Sequence, residues 1–327
     1  IGDLQKKIYH PVYFLYGDEP YYIDLITNYI SGNVLTDAEK SFNQIIVYGK
    51  DSDGPRVVEL AKRYPMMANR QVVIVKEAQE LDRFEDLLFY VEKPLQSTLL
   101  VLNYKYKKPD SRKKIFKVLL QNSISFESKK LFDNKLPGWI TGYLVNRKYS
   151  IQPKAASLLT EFLGSDLSKI SNELDKLMIS MGENERTITP EHIERNIGIS
   201  KDYNQFELYK ALGSRDVVKA NRIINYFAQN QKNYPIALTI GSLYYFFSKL
   251  LVYYYLEDRS KENVASVLKV HPYFVSDYVE AAKRYKPVKV AEIISHLREY
   301  DMRSKGFNGD TTPPGGLLKE LIFKILH

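Results

Sequence analysis

The sequence predicts an α/β domain built on a parallel sheet, followed by a segment that is almost wholly helical. Three observations carry this. Short runs rich in β-branched and aromatic residues recur through the first third, helical patterns separate them, and after Asp133 the runs stop. Strand and helix alternating at this spacing produce a parallel sheet covered on both faces. Residues 12–16 open as a buried strand, and a helix follows over 21–30. A second strand at 45–48 precedes a helix at 57–63. The third and fourth strands fall at 71–76 and 98–103, with helices at 84–92 and 111–121 and a short fifth strand at 123–127.

Beyond this the pattern is helical. Segments 137–148 and 153–163 lead to 166–181, where Leu167, Ile170, Leu174 and Leu177 form a stripe at helical spacing. Thr189-Pro190-Glu191 opens a short helix with a cap and a first-turn proline. From Phe206 onward helix is broken at 213–216, 233–235, His271-Pro272 and 306–316. Boundaries near 135 and 205 divide the chain into 1–135, 136–205 and 206–327.

Composition excludes several classes. With 44% hydrophobic and 26% charged residues the chain is a folded protein, not a disordered one. No cysteine is present, so there is neither a disulfide framework nor a thiolate metal site. His10, His192, His271, His296 and His327 have no metal-ligand spacing, and no Gly-x-Ser-x-Gly occurs. Neither a metal nor a cofactor is expected. The most apolar run, 244–256, is short and interrupted by Ser248 and Lys249, so no bilayer span is expected. Residues 1–20 carry scattered charges and no apolar leader, which points to the cytoplasm. The net charge of +8 suits a polyanionic partner without requiring one.

The junction after the first strand is where a phosphate-binding loop, Gly-x-x-x-x-Gly-Lys-Ser/Thr, would lie. It reads Gly17-Asp18-Glu19-Pro20-Tyr21-Tyr22-Ile23-Asp24. The first glycine stands, but the second glycine, the lysine and the hydroxyl are gone. Asp18, Glu19 and Asp24 put negative charge where phosphate would sit. The third strand, Val72-Val73-Ile74-Val75, ends in Lys76-Glu77 where an ATPase of this type carries Asp-Glu for magnesium and the attacking water. A lysine cannot hold a metal. These are losses from a phosphate-loop ATPase, or the marks of a sheet that was never of that type.

At these residues the chain resembles the delta subunit family of the bacterial DNA polymerase III clamp loader. The resemblance rests on Val12-Tyr13-Phe14-Leu15-Tyr16-Gly17-Asp18-Glu19, Met67-Ala68-Asn69-Arg70-Gln71-Val72-Val73 and Ser165-Asp166-Leu167-Ser168-Lys169-Ile170-Ser171-Asn172-Glu173-Leu174-Asp175-Lys176-Leu177. It continues through Ile197-Gly198-Ile199-Ser200, Asn204-Gln205-Phe206-Glu207-Leu208 and Leu297-Arg298-Glu299-Tyr300-Asp301, in order along nearly the whole chain. It implies an AAA+-like α/β domain (1–135), a small helical lid (136–205) and an all-α collar (206–327) that joins a ring. It also implies a subunit of a DNA-directed DNA polymerase holoenzyme with no catalytic site of its own, in which neighbouring subunits supply the ATP chemistry. The partners implied are the sliding clamp (the beta subunit), the gamma/tau and delta-prime subunits through the collar, and primed DNA. The arginine-finger Ser-Arg-Cys of the other loader subunits is absent, and 164–169 lacks the nucleotide-sensing arginine of the motor subunits.

In this family two adjacent apolar residues before the Ala-x-Arg-Gln segment enter a pocket on the clamp. Met66 and Met67, after Pro65, stand there in place of the usual Leu-Phe pair. Methionine suits the task through its flexible, polarisable side chain, although two methionines packed under the sheet would read the same way. Arg298, Arg303, Lys305 and Phe307, beside a glycine-rich loop, are the candidate DNA contacts of the collar. Lys105, Lys107, Lys108, Arg112, Lys113, Lys114 and Lys117, interleaved with Tyr104 and Tyr106, read as a solvated helix face or a nucleic-acid surface. A rival function, a DNA-binding regulator, rests on Ala265–Val275 and its likeness to a helix-turn-helix, but the second element is too apolar to read base edges. A third, an active ATPase with a divergent loop, requires tight ATP binding.

Overall fold

The computed structural model describes residues 2–182, 185–198, 200–307 and 311–327. Ile199 of the resemblance pattern, 183–184 of the expected turn and 308–310 of the glycine-rich loop lie outside the described residues. The chain divides into two compact units, Ile1–Leu131 and Phe132–His327.

The first unit contains α1 (Gly2–Gln5), β1 (Val12–Gly17), α2 (Pro20–Asn33), α3 (Asp37–Asn43), β2 (Gln44–Tyr48), α4 (Gly54–Ala61), β3 (Gln71–Lys76), α5 (Leu88–Glu92), β4 (Thr98–Lys105), α6 (Lys114–Asn122) and β5 (Ile124–Ser128). The five strands form one sheet in the order β2-β3-β4-β1-β5, and every pairing is parallel. Successive side chains point to opposite faces, and here both faces are buried. Val12, Phe14, Val73, Val75, Leu100 and Leu102 pack with residues of α4, α5 and α6. Tyr13, Leu15, Val72, Ile74, Leu99 and Val101 pack with Leu4, Ile23 and Ile30 of α1 and α2. Two-sided burial is why these strands read as continuous apolar runs.

Besides the short α1, which was not expected, two elements differ from expectation. The helix expected over 84–92 is a 3-10 turn, Phe84–Leu87, running into α5. The turn starts after Arg83 at φ 50°, and the Arg83 carbonyl sits so close to Gly54 that a Cβ there would approach it to 2.2 Å. Helix α3 was not expected. Its Thr36 and Glu39 form a reciprocal capping box, a signature present in the sequence as Thr-x-x-Glu.

The second unit begins with a 3-10 turn and contains α7 (Leu136–Val145), β6 (Ser150–Ile151), α8 (Pro153–Leu163), α9 (Leu167–Ser180), β7 (Thr187–Ile188), α10 (Pro190–Ile197), α11 (Gln205–Gly213), α12 (Val217–Gln229), α13 (Ile236–Tyr254), α14 (Lys261–Leu268), α15 (Val275–Arg284), α16 (Pro287–Ser304) and α17 (Pro314–Leu326). The expected stripe on α9 is buried, and Asp166 caps it by accepting from the Lys169 amide. Strands do not stop at Asp133, however: β6 pairs in parallel with β7, Ser150 opposite Thr187. Strands of two residues are too short to show a period. The expectation about apolar length also fails. Helix α13, at 19 residues, is long and apolar enough to cross a membrane by composition. Its Ile240, Leu243, Phe246, Phe247 and Leu250 belong to a single core that runs from Leu208 to Leu326. Lys249 and the interspersed serines broke the run in sequence without making the helix polar.

Glu207 of α11 ties three helices together. Its carboxylate pairs with Lys154 of α8 at 2.6 Å and with Lys219 of α12, and its side chain is only 12% exposed. Burial pushes its acidity toward the neutral form, but the two lysine hydrogen bonds and charges outweigh it, so the pKa lies below the usual glutamate value. A depressed carboxyl contributes stability above its unfolded pKa, and that contribution is lost as pH falls through the folded value. Glu207→Gln is expected to cost about 2 kcal/mol at neutral pH, read by urea denaturation. The difference from wild type should vanish below the carboxylate range, and a difference that persisted there would exclude the charge network as its cause.

Candidate functional site

Around the first strand–helix junction the backbone is committed to the sheet. Gly17 has φ 132°, and a Cβ there would lie 2.1 Å from the Ser128 carbonyl oxygen of β5. The Glu19 amide donates to that same oxygen at 3.2 Å. Residues 17–19 therefore bond to a neighbouring strand instead of curling around an anion. Glu19 is 2% exposed, and its carboxylate accepts from the Tyr21 amide at 3.0 Å as the N-cap of α2. Pro20, next in the chain, has no amide proton to offer. A helix N-terminus is an anion site by virtue of its free amides and dipole, and here the chain's own carboxylate occupies it. Asp18 is half-buried beside it. Asp24, expected to add negative charge, is instead paired with Lys105 at 2.6 Å.

At the end of β3, Lys76 lies over the Tyr48 ring, 5.7 Å from its centroid. Glu77 takes the left-handed conformation, φ 53°, and its carbonyl oxygen lies 2.2 Å from where a Cβ on Gly49 would stand. Glu77 is thus held as a turn residue. Gln79, two positions on, accepts the Lys105 amide with its side-chain oxygen at 2.9 Å. Among the described residues no three acidic or histidine side chains gather as a metal site.

The loop between α4 and β3 is the opposite case: a fixed backbone carrying bare apolar side chains. Met66 is 62% exposed and Met67 fully so, with Tyr64 exposed beside them. They do not pack under the sheet. The buried Asn43, at the end of α3, accepts the Met66 amide at 2.7 Å and donates to the Met66 carbonyl at 2.9 Å. Met67 follows at φ 51°, a strained region for a non-glycine residue. Gln71 anchors the other end: the two hydrogens of its amide nitrogen are shared among the carbonyls of Leu60, Ala61 and Arg63 and the Thr98 hydroxyl. Asn43 was not singled out in the sequence, and Gln71 stood there only as part of the resemblance; their partners are mostly backbone atoms, which no residue pattern displays.

The family model for the DNA polymerase III delta subunit matches residues 13–129, and that for its C-terminal domain matches 202–314. The chain belongs to the DNA polymerase III delta subunit family. It is 27% identical over 316 residues to DNA polymerase III subunit delta of Bacillus subtilis, covering 92% of this chain and 90% of that one. Its fold matches the Bacillus subtilis DNA clamp loader delta protein with a TM-score of 0.52 at 24% identity, over 99% of this chain and 98% of that one. The parallel sheet, in the order β5-β1-β4-β3-β2, is followed by a mainly helical part.

The other candidate residues of this delta-family chain are less free than their sequence suggests. Of the collar group, Arg298 is exposed and Phe307 is 55% exposed. Arg303 bonds Glu320 at 3.0 Å and lies over the Tyr300 ring, while Lys305 bonds Asp301 at 2.6 Å. The basic run after β4 is likewise matched by acids. Lys105 pairs with Asp24, Lys107 with Glu80, Arg112 with Asp110, Lys113 with Glu85 and Lys114 with Glu92. It is largely a salt-bridged surface, with Lys108 and Lys117 exposed outside these pairs. The helix-turn-helix-like segment resolves into α14, a 3-10 turn and α15, whose Val275, Tyr278 and Ala281 are buried in the core. Phe274 stacks on Phe206 at 4.7 Å. The apolar face of α15 is spent on the core, and the exposed cations of its outer face, Lys283 and Arg284, are both paired with Glu280.

Gly17→Ala is expected to destabilise the first unit by more than about 3 kcal/mol, since it combines a backbone collision with a glycine-only φ. Chemical denaturation reads it, and wild-type stability would exclude the close approach to Ser128.

Proposed function

We propose that this chain is a clamp-loader subunit of the DNA polymerase III holoenzyme that binds and opens the sliding clamp for loading onto primed DNA, without hydrolysing ATP itself. The observation that carries the reading is the pair Met66 and Met67, bare to solvent on a loop whose backbone is held by Asn43. Apolar side chains presented on a fixed backbone are what a partner's pocket needs as anchors, because little ordering remains to be done on binding. Methionine, lacking a branched or planar shape, adapts to such a pocket.

The absence of ATP chemistry is supported by the buried Glu19 at the α2 N-terminus and by Lys76 at the end of β3. In this reading the domains are 1–135, 136–205 and 206–327. The last joins gamma/tau and delta-prime subunits as a collar, and the complex works in the cytoplasm. Arg298, Arg303, Lys305 and Phe307 are the proposed DNA contacts, Arg298 and Lys305 being the exposed cations among them, with Lys305 paired to Asp301.

The double substitution Met66→Ala, Met67→Ala is expected to weaken clamp binding by at least about 2 kcal/mol, the scale of hot-spot truncation. Pull-down and titration of the isolated protein with the clamp, without nucleotide, measure it. Unchanged affinity in the folded double variant would remove the wedge. Magnesium-ATP at millimolar concentration is expected to leave the melting temperature where it is; a concentration-dependent rise would reveal a working nucleotide site.

A further inference from the structure

Asn43 is 2% exposed, and both ends of its side-chain amide are engaged. The oxygen accepts the Met66 amide at 2.7 Å, and the nitrogen donates to the Met66 carbonyl at 2.9 Å and to the Glu39 carbonyl at 3.1 Å. A side chain that satisfies the donor and the acceptor of one residue imitates a strand partner for a loop that has none. The bond to Glu39 joins that amide to α3, itself fixed at its start by the Thr36 and Glu39 capping box. The pinned residue immediately precedes Met67, whose φ of 51° costs free energy that surrounding contacts must offset. That conformation accompanies the full exposure of the Met67 side chain. Left to itself, a loop carrying exposed methionines would relax toward ordinary backbone angles and fold those side chains back over neighbouring apolar surface. Three facts therefore converge on one residue: a two-ended amide bond, a strained turn next to it, and apolar side chains held out.

We infer that Asn43 is a positioning residue for partner binding, holding the Met66-Met67 turn in its projecting conformation before the clamp arrives. The inference rests on the proposed role of the two methionines. In the free protein Asn43 prepays the ordering of the loop, and the clamp meets a preformed anchor.

The test is a cycle of variants. Asn43→Ala is expected to lower clamp affinity about tenfold, the loss that follows when the loop and its methionines must be ordered on binding. In the Met66→Ala, Met67→Ala background it should cost nothing further, because the side chains it positions are gone. Hydrogen exchange of the Met66 amide in the free protein should accelerate in parallel. Should Asn43→Ala fold poorly, Asn43→Asp keeps the shape and the acceptor while removing the donor, and a smaller loss is expected. Equal losses in both backgrounds would mean that Asn43 acts through general stability, and the inference would fall. So would unchanged affinity of the Asn43 variants in a protein that does depend on its methionines. If the methionine variant itself binds the clamp normally, the wedge fails and this role fails with it. The Met66 exchange rate then still reports whether Asn43 holds the turn.

Discussion

The buried amide of Gln71 is the joint on which the first unit's working surface depends. It begins β3, so its position is set by the sheet, and its side chain reaches back to the carbonyls that end α4. The last carbonyls of a helix have no partner within it, and buried ones must find donors elsewhere. The Ala61 carbonyl finds three: Gln71, Thr98 and Tyr90. With α4 stopped and anchored here, the chain leaves toward Met66 from a fixed point and returns to β3 at another. Rigidity of the sheet is thereby passed to a loop whose other contacts include those of Asn43 to Met66 and of Arg70 to the Gln96 carbonyl.

Much of the fold was legible because the sheet is buried on both faces. Strands β1, β3 and β4 announce themselves as unbroken apolar runs, and the α9 stripe appears at helical spacing because one face alone meets the core. What escaped did so for physical reasons. Helix α3 is seven residues with little apolar content, so it has no stripe, and only its capping box marked it. The paired strands β6 and β7 are too short to alternate. Helix α13 hid its length because a lysine and two serines punctuate it, although the buried face is continuous.

The candidate site divides along the same line. Its losses were visible in sequence, since a missing lysine or a misplaced glutamate is a matter of residue identity. Its positive features were not. A pair of methionines after a proline fits a core as well as a surface, and exposure alone separates the two. The basic run after β4 looked like a surface for nucleic acid until five of its seven cations were traced to acids, in the case of Lys105 to Asp24 eighty-one positions away. Charge in sequence is not charge in space.

Glu19 changes what the first strand–helix junction offers to an anion. An ATPase that lost its lysine would leave a helix N-terminus still seeking an anion, and phosphate would remain a weak ligand. Here the anion is covalently part of the chain and buried, so any phosphate must displace a carboxylate that is already bonded. The nearby lysine, Lys105, is equally taken by Asp24. Both attractive elements at this end of the sheet are thus satisfied internally. The methionine loop is anchored by Gln71 and Asn43, neither of which touches that region. Its conformation is therefore set by the fold alone, and any control over when it meets a partner has to come from what covers it.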